Sequence, residues 1–483
     1  MLTHSIRLPT DHGLTRIERD QLGDLAVPAG AYYGVQTARA MDNFQITGIP
    51  ISHFPNFVRA LAMVKEAAAR ANGKLGLLPT RLEGAISAAC DEVIAGQWHD
   101  QFAVDMIQGG AGTSTNMNAN EVIANRALEL MGYEKGQYEH LHPNNHVNLS
   151  QSTNDVYPTA LRLGILLSYG ELTGAMENLC AAFQAKGEAF AHIIKMGRTQ
   201  LQDAVPMTLG QEFRAFATTM REDVERVQEL VRLFREVNLG ATAIGTGINT
   251  DPGYAPLAVS ELSEISGESL LLAADLIEAT SDTGAFVTFS GVLKRIAVKV
   301  SKICNDLRLL SSGPRAGLGE INLPPVQPGS SIMPGKVNPV IPEVVNQVAY
   351  QVIGNDLTVT FAAEAGQLQL NAFEPVIALN ILQSMRLMTH AMTALAERCI
   401  KGITANEDYC RRLVTHSIGL VTALNPVIGY QNATRIAQKA QATGRGVADL
   451  VLEEGLLNPA ELANILRPEN MTQPRRFTTH PSN

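Results

Sequence analysis

The chain has 483 residues and a formal net charge of −9, from 38 Lys and Arg against 47 Asp and Glu. Apolar residues make up 45% of it, which excludes a disordered chain, and the acidic balance argues against a nucleic-acid binder, which would carry a basic stripe. Charged residues make up only 18%, against about 25% in a typical soluble domain, so we expect much of the surface to be buried against other subunits.

The five cysteines are widely spaced and odd in number, and none lies in a Cys-x-x-Cys pair. Neither a secreted disulfide framework nor a structural zinc site is therefore expected. Residues 1–20 lack the apolar run of a signal peptide, and no segment reaches about 18 uninterrupted apolar residues. These features predict a cytoplasmic protein that binds neither membranes nor nucleic acids.

Three domains are expected along the chain, and the fold class is predicted to be mainly α. Residues 1–151 are predicted to form a small mixed domain, mostly helical. Within it, strands and turns are expected at 15–25 and 31–37, and helices at 56–72, 83–95 and 121–131. Residues 152–406 are predicted to form a central domain of long helices, and residues 407–483 a small helical domain.

The central domain is defined by apolar residues that recur at spacings of three and four over long distances. The pattern predicts helices of about 25 to 30 residues, each about 40 Å long. They are expected at 209–237, 286–310, 342–371 and 376–400. Helices of this length suit an elongated bundle better than one compact domain in isolation.

One segment of this bundle, 344–369, is nearly uncharged. Its only ionisable residues are Asp356 and Glu364, among apolar and amide side chains. A helix that is neutral all round is buried on all sides, and the length of this one favours burial in a multi-subunit core. An ordinary interior helix is the alternative.

Two motifs imitate known sites. The peptide G-S-S-I-M-P-G-K at 329–336 resembles a phosphate-binding P-loop, but five residues separate its glycines instead of four, and no hydroxyl residue follows the lysine. The spacing of His140, His142 and His146 could bind a metal, but Pro143 breaks any helix that would align them. A turn or an anion contact is the preferred interpretation of the histidines, and no metal site is predicted.

Four segments are dense in small hydroxyl and amide residues. They are G-G-A-G-T-S-T-N-M-N-A-N at 109–120, S-Q-S-T-N-D at 150–155, G-R-T-Q-L-Q-D-A-V-P at 197–206 and Q-P-G-S-S-I-M-P-G-K-V-N-P at 327–339. Such side chains donate hydrogen bonds without carrying charge, and three of the segments directly precede a helical pattern, where free N–H groups favour anions. One such cluster is usually a cap or a turn, but four, together with Arg198 and Lys336, predict a site for a small polyanionic substrate. Arg198 itself is expected to form a structural ion pair in preference to binding the substrate. Glycines and prolines bracket the serines and lysine of the fourth segment, as is typical of a mobile lid.

The four polar segments resemble the signature peptides of the fumarase/aspartase superfamily, in the family's order and spacing, and the resemblance extends from about residue 17 to residue 466. The peptides V-I-P-E-V-V-N-Q-V at 340–348 and N-L-G-A-T-A-I-G-T-G at 238–247 resemble the aspartase branch. Fumarases carry His at the position of Gln200. Glutamine cannot act as a general base near neutral pH but can accept a hydrogen bond from an ammonium group, which favours ammonia over water as the leaving group.

The resemblance implies an ammonia-lyase that converts L-aspartate reversibly into fumarate and ammonia by anti-elimination through an aci-carboxylate intermediate. It implies that Ser330 is the general base. The implied substrate ligands are Ser331, Thr113, Ser152 and Thr153 for the carboxylate that gains charge, Lys336, Asn338 and Thr199 for the other carboxylate, and Asn154 and Gln200 with Thr113 for the amino group.

The resemblance also implies a homotetramer whose core is the central bundle of long helices and whose active sites are shared between subunits. It implies no required cofactor and leaves activation by a divalent cation open. Two alternatives remain. One is fumarate hydratase or a related lyase acting on another substituted dicarboxylic acid, and the other is a catalytically inactive homologue that serves as a structural or metabolite-binding protein.

Overall fold

The computed structural model describes residues 13–329 and 331–474, and this part of the chain is mainly helical, as predicted. Its strands are short and form two-stranded sheets. None of the described helices is long and apolar enough to cross a membrane. The described cysteines, which are all five, are free and buried.

The N-terminal part begins with an antiparallel hairpin of β1 (Thr15–Asp20) and β2 (Gly23–Pro28). The strands predicted at 15–25 are thus confirmed, whereas the segment from 31 bends and leads directly into a helix. The helices of this part are α1 (Val35–Asn43), α2 (Pro55–Lys74), α3 (Thr80–Ile94) and α4 (Thr113–Leu130).

Helix α4 begins at Thr113, eight residues before the start predicted at 121. The first polar segment therefore forms its first two turns instead of preceding it. Asn116, Asn118 and Asn120 are buried there because their side-chain amides donate hydrogen bonds within the protein. The apolar periodicity missed these turns because amide hydrogen bonds, and not apolar contacts, hold them in place.

The central helices are α5 (Thr153–Ala189), α6 (Leu209–Leu230), α7 (Tyr254–Ser266), α8 (Leu276–Ser281), α9 (Gly284–Leu310), α10 (Val340–Glu364) and α11 (Glu374–Arg398). Helix α5 has 37 residues and is therefore about 56 Å long. The long helices predicted at 286–310 and 376–400 are confirmed by α9 and α11.

Two of the predicted long helices are shorter than expected. Helix α6 ends seven residues early because the chain tightens into a turn at Val231–Phe234, where the ring of Phe234 packs edge-on against Phe289 at 5.2 Å. Helix α10 also ends seven residues early, because the side-chain amide of Asn371 donates to carbonyl oxygens in its last turn. Such a donor satisfies the last carbonyl oxygens of the helix, for which the helix itself supplies no N–H group.

The exposed side of α10 decides between the two interpretations of the neutral segment. Val344, Tyr350, Leu357 and Phe361 are 43, 59, 56 and 65% exposed in the single chain. An ordinary interior helix is therefore the wrong interpretation. Burial of α10 in a multi-subunit core stays a prediction.

The remaining strands are β3 (Ile194–Thr199), β4 (Gln202–Thr208), β5 (Glu236–Val237), β6 (Leu271–Leu272), β7 (Ile321–Asn322) and β8 (Thr404–Ala405). β3 and β4 form a hairpin, β7 pairs antiparallel with β8, and β5 pairs parallel with β6. The C-terminal helices are α12 (Glu407–His416), α13 (Val421–Ile428), α14 (Tyr430–Thr443), α15 (Val447–Glu453), α16 (Pro459–Ile465) and α17 (Pro468–Met471).

Contacts within the chain divide it into two compact units. The first unit holds the residues up to Thr173 with Glu225–Arg295 and Gln351–Leu387, and the second holds Gly174–Val224, Ile296–Tyr350 and the residues from Met388 onward. In the first unit, α2 packs against α3, α4 and α7. In the second unit, the inner face of β3 and the C-terminal helices share one apolar core. This division does not test the predicted domain boundaries at 151 and 406, which stay predictions.

Candidate active site

In the first unit, the N-terminal ends of α4 and α5 lie side by side. The amide of Asn116, in the first turn of α4, donates to Oγ1 of Thr153, the first residue of α5, at 3.2 Å. The structure therefore brings the first two polar segments together, and with them Thr113, Ser152 and Asn154. The dipoles of two adjacent helix N-termini favour negative charge, so this is a place for an anion.

The close approach of these helices requires glycine at position 112. Gly112 has a φ of +89°, and a Cβ there would overlap the ring of Tyr157. Thr113 follows directly and is exposed, and its hydroxyl donates to the carbonyl oxygen of Gly110 at 2.8 Å. The ring of Tyr157 thus packs against the loop at Gly112, while Thr113, a predicted substrate ligand, stays exposed.

A buried lysine lies behind the two helix ends. Nζ of Lys65, in α2, donates to Oδ1 of Asn116 at 2.6 Å, to Oδ1 of Asn148 at 3.0 Å and to Oε1 of Gln151 at 2.9 Å. Burial lowers the pKa of Lys65 to about 7, and the negative charge of Asp155 opposes that fall. Three amide oxygens around one amine suit an ammonium donor, so Lys65 holds side chains of both polar segments in place.

Asp155 ends the second polar segment and is fully buried. Its Oδ1 accepts the N–H of Ser152 at 3.0 Å, and its Oδ2 accepts the N–H groups of Gly240 and Thr242, each at 3.0 Å. Burial raises the pKa of Asp155 to about 6, and these backbone hydrogen bonds oppose the rise. The carboxylate therefore attaches the second polar segment to the glycine-rich loop 238–247.

No role was predicted for Lys65 or Asp155 from the sequence. A signal for Lys65 was present, because it lies four residues after Leu61 on the apolar face of α2, where a cation is out of place. Asp155 had no such signal, since two of its three partners are backbone N–H groups from a loop more than 80 residues away.

The amide of Asn154 has a defined orientation. Its Nδ2 donates to the carbonyl oxygen of Ala243 at 2.7 Å. Because the two ends of a carboxamide point in different directions, Oδ1 is left as an acceptor on the other side. This arrangement suits the predicted role of Asn154 as a partner of an ammonium group.

In the second unit, Thr199 and Gln200 lie at the tip of the β3–β4 hairpin, where both are exposed. Gln200 and Leu201 form the two-residue turn, with φ of +55° and +61°. Two residues with positive φ are what the preferred two-residue hairpin turn requires. The turn presents the side chain of Gln200 beyond the end of the strands.

A buried ion-pair cluster supports the base of this hairpin. Glu320 is fully buried, and its carboxylate lies 2.9 Å from Nζ of Lys195 and 2.5 Å from Nη1 of Arg198. Both cations belong to β3. The structural ion pair predicted for Arg198 is confirmed.

The second unit also carries the fourth polar segment. Ser330 lies outside the described residues, so its predicted role as a base stays a prediction. Ser331 and Lys336 are exposed and Asn338 is half-buried just before α10. A Cβ at Gly329 would overlap the carbonyl oxygen of Lys336, so the backbone at these two residues lies in contact.

Two of the three clustered histidines, His142 and His146, form a turn, which was one of the two predicted interpretations, whereas the ring of His140 stacks on Tyr133. Nδ1 of His142 accepts the N–H groups of Asn144 and Asn145, and Nδ1 of His146 accepts the N–H of His142. Within 13–329 and 331–474, no three His, Cys, Asp or Glu side chains form a group that could hold a metal ion. This finding does not test activation by a divalent cation, which the resemblance leaves open.

Comparison with known proteins covers nearly the whole chain. Residues 23–354 match the family model described as "Lyase", and residues 420–473 match the model of the fumarase C C-terminus. An aspartate ammonia-lyase from Pseudomonas canavaninivorans is 68% identical over 461 residues, which are 95% of this chain and 97% of that protein.

Two solved structures share the fold. The fumarate lyase:delta crystallin from Brucella melitensis bound to cobalt has a TM-score of 0.93 and 62% identity, over 95% of this chain and 100% of that one. The recombinant class II fumarase from Schistosoma mansoni has a TM-score of 0.89 and 35% identity, over 96% of this chain and 100% of that one. The lyase model spans all four polar segments, and the chain therefore belongs to the fumarase/aspartase superfamily of lyases.

Proposed function

We propose that this chain catalyses the reversible deamination of L-aspartate to fumarate and ammonia. The observation that carries the proposal is the 68% identity to an aspartate ammonia-lyase over 95% of the chain. The chemistry of the described site agrees with it. Adjacent helix N-termini and neutral hydroxyl and amide donors suit a dicarboxylate, which needs many hydrogen bonds in a small space.

The choice of ammonia over water rests on two observations. Gln200 stands at the hairpin tip, where its amide oxygen can accept a hydrogen bond but cannot remove a proton near neutral pH. Asn154 offers a second amide oxygen, because its Nδ2 is committed to Ala243. Two neutral acceptors favour a leaving group that carries N–H bonds.

In the proposed mechanism, Ser330 acts as an alkoxide and removes the proton from the carbon next to one carboxylate. Two negative charges then develop on that carboxylate, and hydrogen-bond donors aimed at it beforehand stabilise them. Ammonia leaves in the second step. The proposed donors to the carboxylate that gains charge are Ser331, Thr113, Ser152 and Thr153. Those to the other carboxylate are Lys336, Asn338 and Thr199. The proposed partners of the amino group are Asn154, Gln200 and Thr113.

We further propose a homotetramer with active sites shared between subunits. Helix α10 supports the assembly, because Val344, Tyr350, Leu357 and Phe361 are exposed on it in the single chain. Several large apolar side chains exposed along one helix are typical of an interaction surface. Helix α10 begins two residues after Asn338, so packing of this helix against other copies would also position the fourth polar segment.

The central experiment is an assay of the purified full chain with L-aspartate, in which fumarate is followed by its ultraviolet absorbance. We expect fumarate to form from L-aspartate, and aspartate to form from fumarate with ammonium. Fumarate from L-malate but not from L-aspartate would instead indicate the alternative, fumarate hydratase. Activity toward neither would favour an inactive homologue. Repeating the assay with EDTA tests the prediction that no cofactor is required, and repeating it with added Mg²⁺ tests the open question of activation by a divalent cation.

A pair of neighbouring variants tests the assignment of the base. Ser330→Ala is expected to lower kcat by about 10²–10⁴-fold, the usual contribution of a positioned proton acceptor. Ser331→Ala removes a donor instead, so we expect a smaller loss. Equal kcat in Ser330→Ala and the parent would refute the assignment of the base and leave the overall reaction standing.

A further inference from the structure

We propose that Asp155 is a positioning residue for the reaction, which clamps the second polar segment onto the loop 238–247 and so holds Ser152, Thr153 and Asn154 where the substrate needs them. This inference rests on the proposed function, and it goes beyond it by adding a buried side chain and a loop to the catalytic apparatus. Asp155 does not itself contact substrate in this proposal.

The geometry requires a carboxylate at this position. Oδ1 faces the N–H of Ser152, and Oδ2 faces the N–H groups of Gly240 and Thr242, so both oxygens serve only as acceptors. An asparagine would turn its NH₂ group toward one of these donors, and a protonated acid would turn its O–H toward one of them. Neither could satisfy all three N–H groups, and those of Gly240 and Thr242 are buried.

The backbone of the loop is shaped for this contact. Gly240 and Thr242 have φ of +96° and +58°, and this bends the chain so that two N–H groups converge on one oxygen. A threonine rarely adopts a positive φ, so its conformation is maintained by the contacts around it. The carboxylate of Asp155 supplies one of these contacts.

Two further hydrogen bonds connect the same two segments. Nδ2 of Asn154 donates to the carbonyl oxygen of Ala243 at 2.7 Å, and Nδ2 of Asn238 donates to the carbonyl oxygen of Asn154 at 3.2 Å. The loop therefore fixes Asn154 through both its side chain and its backbone. Movement of the loop would move a predicted partner of the amino group.

The charge of Asp155 has a nearby counterpart. Lys65 is also fully buried, and its positive charge lowers the pKa of Asp155 while the charge of Asp155 raises that of Lys65. Lys65 in turn holds Asn116 and Gln151 by hydrogen bonds of 2.6 and 2.9 Å. The two buried charges thus support the two polar segments of the first unit from behind.

Loss of the clamp should affect catalysis more than a loss of packing alone would. Asp155→Asn leaves one N–H without an acceptor and releases the loop. A displacement of about 1 Å in a substrate-positioning group can cost about 10²-fold in rate. Because the displaced residues bind the substrate in the ground state as well, KM for L-aspartate should rise while kcat falls.

Asp105 supplies a matched control. It is 6% exposed, lies in the same unit, and its carboxylate accepts the N–H groups of Thr47, Gly48 and Ile107. It too is a buried carboxylate that clamps backbone N–H groups, but its partners lie outside all four polar segments. Asp105→Asn therefore reproduces the structural damage without touching the proposed positioning.

The experiment compares the parent, Asp155→Asn and Asp105→Asn as full chains, by kcat and KM for L-aspartate and by urea unfolding. We expect both variants to lose stability, and only Asp155→Asn to lose about 10²-fold in kcat/KM with a raised KM. Kinetic constants that are equal in the two variants would overturn the inference.

Two results separate this inference from the proposed function. If the parent forms no fumarate from L-aspartate, the proposed function fails and the inference with it. If the parent is active and Asp155→Asn matches it, the inference alone fails. Should Asp155→Asn not fold, Asp155→Glu keeps the charge and shifts the oxygens by one methylene, and an unchanged KM in that variant would overturn the inference.

Discussion

Replacing Phe361 by glutamate is predicted to break the proposed tetramer. The ring of Phe361 is 65% exposed in the single chain, on a helix that also exposes Tyr350 and Leu357. A phenylalanine side chain offers about 200 Å² of surface, so about 130 Å² remains to be buried, which is worth about 3 kcal/mol per copy at 25 cal/mol per Å². Four copies would lose about 12 kcal/mol, before the added cost of placing four carboxylates in an apolar core.

Light scattering on the purified chain measures this directly. We expect the parent to have about four times the chain mass of 52.0 kDa and Phe361→Glu to be smaller. Tyr430→Glu is the control, since Tyr430 is 76% exposed on a different helix, α14, and should stay tetrameric. If sites are shared between subunits, the dissociated variant should also lose activity. A Phe361→Glu variant that remains tetrameric, or a fully active monomeric parent, would refute the reasoning.

Two further predictions concern buried charges. Lys65→Met should lower the free energy of unfolding by about 3 kcal/mol or more, because three amide oxygens lose their donor, and it should also lower kcat/KM. Urea unfolding measures the first effect, with the exposed lysine variant Lys302→Met as the control. A loss of stability no larger than that of the control would contradict the prediction. Burial raises the pKa of Glu374 from 4.5 to about 8, so the stability that its proton contributes is fully present below about pH 4.5 and is lost as the pH rises through 8. Glu374→Gln mimics the protonated form, so its free energy of unfolding should lie close to that of the parent at pH 5 and exceed it by up to about 5 kcal/mol at pH 9. An equal difference at both pH values would contradict the assignment.

The helices illustrate where periodicity succeeds and where it fails. It predicted α9 and α11 because apolar residues recur along both at spacings of three and four. It did not place the first two turns of α4, whose buried face is made of asparagines that find partners elsewhere in the chain. It also extended α10 to 371, because nothing in the local pattern shows that the side chain of Asn371 folds back onto the end of the helix.

In the candidate site, too, some residues could be predicted from the sequence and others could not. The four polar segments could be found from the sequence because small donors stand out in an apolar chain, and the structure joins the first two of them at Asn116 and Thr153. Arg198 was correctly predicted to form an ion pair, although its partner, Glu320, lies 122 residues away and could not be named. Lys65 and Asp155 remained unassigned because their importance lies in distant partners.

The sequence by itself determined that the chain is mainly helical, that it carries four segments suited to an anionic substrate, and which lyase superfamily they resemble. These properties are local, since composition, spacing and short motifs express them without reference to distant residues. Only the tertiary structure decided which segments meet, which charges are buried beneath them, and that α10 exposes its apolar side chains in the single chain. Those properties depend on contacts between residues far apart in sequence, and hydrogen-bond partners and burial are set only when the chain has folded.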